Sequence, residues 1–184
     1  MPWKVTKALK ALLVNSKAFL EFGCGGSTIL AGSMQVPEIM SIESDINYLK
    51  ATERSLKKIK TSSDSKFLFA DIGKTGFLGR PILRKYSSAW NKYPMLPWIN
   101  KFSPDLVLID GRFRLACGYA TLRFACAGTL IFFDDFQFRP CYWPVAEMLI
   151  KIKTVGRACL FKVPRIRCFA TLDELLICAS HDFR

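Results

Sequence analysis

The stretch Ala18-Phe19-Leu20-Glu21-Phe22-Gly23-Cys24-Gly25-Gly26-Ser27-Thr28 decides the reading of this chain. A short apolar run predicts a buried strand over about Lys17–Phe22. Three glycines then predict a tight turn, and the residues from Thr28 to about Ser33 suit a helix. Helix starts present free backbone N–H groups and the positive end of the macrodipole. Glycines let a ligand approach that backbone closely. The stretch therefore predicts a nucleotide-like cofactor at the end of the first strand, with an acid, Glu21, just before the turn.

Outward from this point, short apolar runs alternate with helical stretches, the pattern of an α/β, three-layer, mostly parallel sheet covered on both faces. Further strands are expected at Glu38–Glu43, Lys66–Ala70, Leu106–Ile109, Thr129–Phe133, Ala158–Val163 and Leu175–Ala179. Helices are expected at Ile46–Ile59, with Ser44-Asp45 as its N-cap, near Leu115–Cys126, and in the later part of Pro140–Lys153. The N-terminal residues read as an amphipathic helix beside the sheet; lysines interrupt any signal-peptide reading. Residues 73–104 carry Trp90, Tyr93, Pro94, Pro97 and Trp98 and exceed a simple connection. Part of that segment, 82–92, fits a crossover helix, and the remainder reads as a lid or substrate loop of a single domain spanning 1–184.

The 184 residues are 51% apolar and 23% charged, which excludes a disordered chain and suits one domain with a proper core. No apolar run reaches the roughly 18 residues that cross a bilayer. Seven cysteines without CxxC spacing read as reduced thiols of a cytoplasmic protein, not a disulfide frame or zinc site. The net charge is +12. From Ile72 to Pro104 there is no acid but Lys74, Arg80, Arg84, Lys85, Lys92 and Lys101 are present; from Arg139 to Cys168 only Glu147 opposes seven bases. Such a field suits an anionic substrate or nucleic acid, and equally a merely well-solvated surface. Nothing in the sequence fixes the number of subunits.

The acids are placed differently. Glu21, Glu43, Asp45, Asp71, Asp110, Asp134 and Asp135, seven of only 15, each fall at or just past the end of an expected strand. In an open parallel sheet that edge binds ligands. A dinucleotide fingerprint, GxGxxG, fits imperfectly: Thr28 stands at the third glycine, and Glu21 would repel a pyrophosphate. A sulfonium cofactor with an ammonium, a ribose diol and no phosphate tolerates that acid.

On these residues the chain resembles the class I S-adenosylmethionine-dependent methyltransferases. Glu21 to Ser27 is similar to their first motif, and the resemblance implies that Glu21, Gly23, Cys24, Gly25, Ser27 and Thr28 surround the methionine part of the cofactor. Ser41-Ile42-Glu43-Ser44-Asp45 resembles the second, implying Glu43 on the ribose hydroxyls with Ser44 beside it. Phe69-Ala70-Asp71-Ile72 resembles the segment at the adenine, implying Asp71 and Ile72 there. Asp105 to Gly111 resembles the fourth, placing Asp110 beside the reacting methyl group. The family fold implies a seven-stranded Rossmann-like sheet with its last strand antiparallel.

Leu108-Ile109-Asp110-Gly111 with Leu130 to Asp135 is also similar to O-methyltransferases that hold magnesium between these acids. Here Arg112, Phe113 and Arg114 follow the fourth motif, where a further ligand or a histidine base often stands, so magnesium is an alternative and not the expectation. Asp110 is the expected base or substrate orienter, with Asp134 second. Arg112, Arg114 and Arg139 are placed to meet an anionic acceptor through two-point guanidinium contacts, and Trp98 is the aromatic assigned to the substrate side. His181 lies too near the end to be given a role. The reading is methyl transfer from S-adenosylmethionine to a small or anionic acceptor, with no membrane partner. An RNA methyltransferase and a catalytically silent binding protein on the same fold remain the alternatives; an Asn/Asp-Pro-Pro-Tyr signature is absent.

Overall fold

The computed structural model describes residues 1–76, 79–82 and 84–182, without the side chains of 84 and 85. Phe77, Leu78 and Leu83 of the expected lid, and the side chains of Arg84 and Lys85 counted in the basic run, lie outside the described residues. Seven strands form one sheet: β1 (Ala18–Phe22), β2 (Glu38–Glu43), β3 (Asp64–Phe69), β4 (Leu106–Ile109), β5 (Leu130–Phe133), β6 (Ile150–Val155) and β7 (Ala158–Lys162). Their order is β3-β2-β1-β4-β5-β7-β6. Strands β1 to β5 pair in parallel, and β7 lies antiparallel between β5 and β6. This is the Rossmann-like methyltransferase fold with its reversed strand near one edge.

The helices are α1 (Trp3–Leu13), α2 (Gly26–Ser33), α3 (Ile46–Lys57), α4 (Lys92–Ile99), α5 (Arg114–Phe124), α6 (Trp143–Ala146) and α7 (Phe169–Ala179). Side chains alternate across a strand, so one parity of β1, β2 and β4 faces each layer. Leu20, Phe22, Met40, Ile42, Val107 and Ile109 pack with Tyr93 of α4 and with the buried residues of α5 and α7. Phe19, Ile39, Leu106 and Leu108 pack on the other face with Val5, Leu9 and Leu13, which recur every fourth residue of α1. Each such buried side chain is worth about 1.5–3 kcal/mol. Polar ties fix the frame at the strand starts. Asp105 accepts hydrogen bonds from Ser16 Oγ (2.6 Å) and from the backbone N–H of Lys17 (2.7 Å), joining the start of β4 to that of β1.

Two expectations near the C-terminus are corrected. Leu175–Ala179 is not a strand but the end of α7, whose inward residues Leu172, Leu176 and Ala179 keep helical spacing. The later part of Pro140–Lys153 is helical only over Trp143–Ala146, after a 3-10 turn at Pro140–Tyr142; Ile150 to Val155 is β6. Its Ile-Lys-Ile-Lys alternation is the period of an edge strand with both flanks near water. Within the expected crossover helix of 82–92 the described residues form only a 3-10 turn at Arg84–Ala89, and the α-helix, α4, follows from Lys92. Trp90 and Tyr93 of this segment are buried in the core against Phe113, with ring centroids at 5.8 and 5.6 Å.

Strand order reverses between β1 and β4, so their following loops diverge and open a crevice at the C-terminal edge of the sheet. No helix among the described residues is long and apolar enough to cross a membrane.

Candidate active site

The crevice holds a cavity of about 780 Å³. Gly23 to Ser27, Glu43, Asp45, Tyr48, Gly79, Tyr93, Asp110, Gly111, Arg112 and Arg114 line it, with residues of α1 and α2 at its margin. The glycine turn after β1 and the Asp110-Gly111 turn after β4 touch directly. A Cβ on Gly23, where φ is +95°, would lie 2.6 Å from Gly111 Cα; one on Gly111 would lie 2.1 Å from the Tyr93 hydroxyl and 2.8 Å from Gly23 N. These positions need glycine because backbone meets backbone there. Gly26, the first residue of α2, has nothing within 4 Å of its absent Cβ, so the helix N-terminus opens on free space.

Glu21 does not face that space. Its parity in β1 turns it toward α2, where it is fully buried. Ser27 Oγ (2.6 Å), Ser41 Oγ (2.7 Å) and Thr28 Oγ1 all donate to its carboxylate. Thr28 Oγ1 accepts in turn from Gly25 N at 2.8 Å. Burial pushes the Glu21 carboxyl up to about 7, against the lowering effect of the three hydroxyls. The acid is thus a fastening beneath the turn, and of the expected methionine-site residues it is Gly23, Cys24, Gly25 and Ser27 that line the cavity, while Thr28 is buried with Glu21.

Glu43 does face the cavity. Its Oε1 accepts from the backbone N–H groups of Ser44 (2.6 Å) and Asp45 (2.9 Å), which leaves Oε2 toward the cavity beside the Cys24 thiol at 4.0 Å. Burial raises the Glu43 carboxyl and pushes the Cys24 thiol up to about 12, so Cys24 stays a neutral donor. Asp45 caps α3, accepting from Asn47 N and Tyr48 N. That cap aims Tyr48, in the first turn of α3, at the glycine turn: a Cβ on Gly25 would lie 2.8 Å from its hydroxyl. Ser44 Oγ donates to Gly79 O at 3.3 Å, so the segment before the 3-10 turn folds over this corner.

Asp110 lines the opposite side of the turn contact. Burial, outweighing the Arg114 guanidinium and reinforced by Asp134, pushes its carboxyl up to about 7. Arg114, 10% exposed, donates to the carbonyls of Gly111, Asp110 and Asp134 and to Asp110 Oδ1 at 3.2 Å. It lines the cavity but is committed to holding two strand ends together. Arg112 also lines the cavity, half-buried, its own N–H donating to the Tyr93 hydroxyl at 3.4 Å. Phe113 then holds φ at +52°, a strained setting for a bulky residue, kept by its full burial.

The structure places other expected residues elsewhere. Asp134 is fully buried, outside the cavity lining, and gripped by Arg157 through Nε (3.0 Å) and Nη2. Burial alone would raise its carboxyl, but the Arg157 hydrogen bonds prevail and hold it below the ordinary range. Asp71 is exposed and accepts from Gly73 N at 3.1 Å, a local turn; Ile72 is buried in the core, and neither lines the cavity. Trp98 stacks on Phe124 at 5.9 Å, away from the lining residues. Arg139 pairs with Asp135 at 3.3 Å. Tyr48 and Arg157 were given no site role from the sequence, while Gly111 was read only as part of the fourth motif and Tyr93 only as an aromatic of the lid segment. Tyr48 carried a signal of its own, as an aromatic three residues after a helix cap.

Among the described residues no group of three or more His, Cys, Asp or Glu is arranged to hold a metal ion. The lining does suit S-adenosylmethionine. A glycine cradle and an open helix start can take an amino-acid end, and Glu43 Oε2 offers an acceptor for a diol.

No protein-family model matches the chain, and no curated protein matches it in sequence. Solved structures do. A methyltransferase-like protein from Silicibacter pomeroyi DSS-3 is 29% identical over 99% of this chain and 96% of that one, with a TM-score of 0.88. An O-methyltransferase from Bacillus cereus, in complex with S-adenosylhomocysteine, shares the fold at 14% identity, over 90% and 82% of the two chains, TM-score 0.61. An RNA methyltransferase from Salinibacter ruber, with the same ligand, does so at 12% identity, over 91% and 95%, TM-score 0.53. The chain thus has the fold of the class I S-adenosylmethionine-dependent methyltransferases and is similar over nearly its whole length to a methyltransferase-like protein.

Proposed function

We propose that the protein transfers a methyl group from S-adenosylmethionine to a small or anionic acceptor, at oxygen. The observation that carries this reading is one cavity joining the open start of α2, Glu43 Oε2 and Asp110. The sulfonium supplies an activated methyl group and leaves as a neutral thioether. What falls to the chain is alignment and exclusion of water. The turn at Gly23–Ser27 takes the amino-acid end, Glu43 takes the ribose, and Tyr48 covers the turn between them. Asp110 faces the remaining space. With its carboxyl near 7 it is poised at neutral pH to accept the proton of an acceptor hydroxyl. Arg112 adds positive charge on the acceptor side, which favours an anion.

Calorimetric titration of the purified chain with S-adenosylhomocysteine tests the reading. Binding at micromolar concentration is expected, with Glu43→Ala weakening it at least about tenfold, the worth of one lost charge-assisted pair. Absence of binding at high micromolar concentration overturns it, and binding without transfer to any acceptor favours a silent binding protein.

One observation favours RNA as acceptor: Lys151, Lys153, Lys162 and Arg165 are exposed near the β6 edge. Against it, Arg139, Arg157 and Arg167 of the same basic run are spent internally, Arg167 donating to the Leu122 and Ala125 carbonyls at the end of α5. RNA binding through four phosphate contacts would weaken with a logarithmic salt slope of about −3.

A further inference from the structure

The ends of β4 and β5 gather three carboxylates, Asp110, Asp134 and Asp135, and two guanidiniums occupy the space between them. Arg157 reaches in from the turn between β6 and β7. Its Nε lies 3.0 Å from Asp134 Oδ1 and 3.0 Å from Asp135 Oδ1, while Nη2 meets Asp134 Oδ2. Arg114 comes from the start of α5, with Nη2 3.2 Å from Asp110 Oδ1 and Nη1 3.4 Å from Asp135 Oδ2. Arg139 adds Nη2 at 3.3 Å from Asp135 Oδ2. Three negative groups thus meet three positive ones, and the Asp134 side chain is wholly out of water.

Hard anionic oxygens at neighbouring strand ends are what a divalent cation takes as ligands. Here the oxygens are already met by N–H donors in fixed directions. A guanidinium suits that place: it is planar, always charged, less strongly hydrated than an ammonium, and can bridge two carboxylates at once. We propose that Arg157, with Arg114, is a built-in substitute for a divalent ion, so that this acid cluster takes up no metal and Asp134 serves as an anchor for the end of β5. Arg157 is then a positioning residue. It does not line the cavity, and it holds the Asp134 and Asp135 carboxylates in place behind Asp110.

This inference stands apart from methyl transfer, because its test reads metal uptake and not turnover. Magnesium and manganese are titrated calorimetrically into the purified full chain up to about 10 mM, beyond the weakest ordinary carboxylate sites. Thermal unfolding is followed in parallel. The wild type is expected to show no saturable uptake and a melting temperature unmoved within about 1 °C. Arg157→Gln removes the charge and should melt lower. It should then recover roughly 3–5 °C with about 10 mM magnesium, as a new site of millimolar affinity would give. Arg157→Lys keeps the charge and should refuse the ion like the wild type.

Saturable uptake by the wild type that disappears in Asp134→Asn overturns the proposal. So does a folded Arg157→Gln that takes up no ion. Should Arg157→Gln fail to fold, wild type and Arg157→Lys decide: refusal by both supports the built-in cation, and uptake by either refutes it.

Discussion

Glu21 offers the sharpest test of how this site is held, because its effect on stability changes with pH in a direction that its environment fixes. The carboxyl is fully buried and pushed from 4.5 to about 7 by that burial, despite three hydroxyl donors. An acid that binds its proton more tightly in the folded chain favours folding at low pH. Its contribution is complete below 4.5 and is lost as pH rises through about 7. The gap between the two values is worth about 3 kcal/mol, a large part of the 5–15 kcal/mol that holds a domain together. Glu21→Gln keeps the shape and removes the ionisation. Between pH 5 and pH 8 the stability of the variant relative to wild type should therefore rise by about 2.5 kcal/mol. Asp110, pushed to about 7 as well, titrates in both proteins, so only its smaller coulombic effect on Glu21 enters the difference. Urea unfolding followed by circular dichroism at intervals across that range measures it. Stability curves for the two proteins that run parallel from pH 5 to 8 would refute the claim that burial governs Glu21. Glu21→Ala is a different perturbation: it strands the hydroxyls of Ser27, Thr28 and Ser41, at about 1–3 kcal/mol for each that finds no other partner.

The two glycine turns should separate folding from binding. Gly111→Ala drives a Cβ into the buried Tyr93 hydroxyl and the Gly23 backbone, and is expected to lower stability by about 1–3 kcal/mol or more in urea melts. Gly26→Ala meets nothing in the protein, should leave stability within about 0.5 kcal/mol, and should weaken S-adenosylhomocysteine binding in the calorimeter because the added methyl enters the cavity margin. Asp110 works as a base only when deprotonated, so kcat/KM for a hydroxyl acceptor should climb as pH rises through about 7, and Asp110→Asn should abolish that limb with a loss of about 10²–10⁴-fold. Arg114→Ala removes the clamp across Gly111, Asp110 and Asp134; as a nearly buried charge with several acceptors it should cost about 3–5 kcal/mol in thermal or urea unfolding.

The central strands were legible because each is a short apolar run closed by a turn signal; the Glu38–Glu43 prediction coincides with β2. The C-terminal third misled for a physical reason. Leu175 to Ala179 is apolar almost throughout, and five residues are too few to separate a strand from a helix turn; the wider set Leu172, Leu176 and Ala179 settles it. β6 hid because its residues are exposed or half-exposed, so it lacks the buried face by which the other strands announced themselves.

The row of acids shows what spacing conveys and what it omits. Seven carboxylates sit at or near strand ends, and what covers each end decides why they do not share one task. Glu21 and Glu43 stand on the same face of the sheet, yet Glu21 is one residue short of its strand's end and is covered by α2, whereas Glu43 closes β2 and reaches the cavity. Asp45 caps α3 and Asp71 turns back on Gly73. Asp110 faces the hollow, while Asp134 and Asp135, in the corresponding place one strand over, are met by an arginine from a turn 23 residues further along the chain. A one-dimensional pattern locates the edge at which chemistry occurs. Depth below that edge, set by which helix covers a strand end and which distant cation arrives there, divides the residues that hold the site from those that face it.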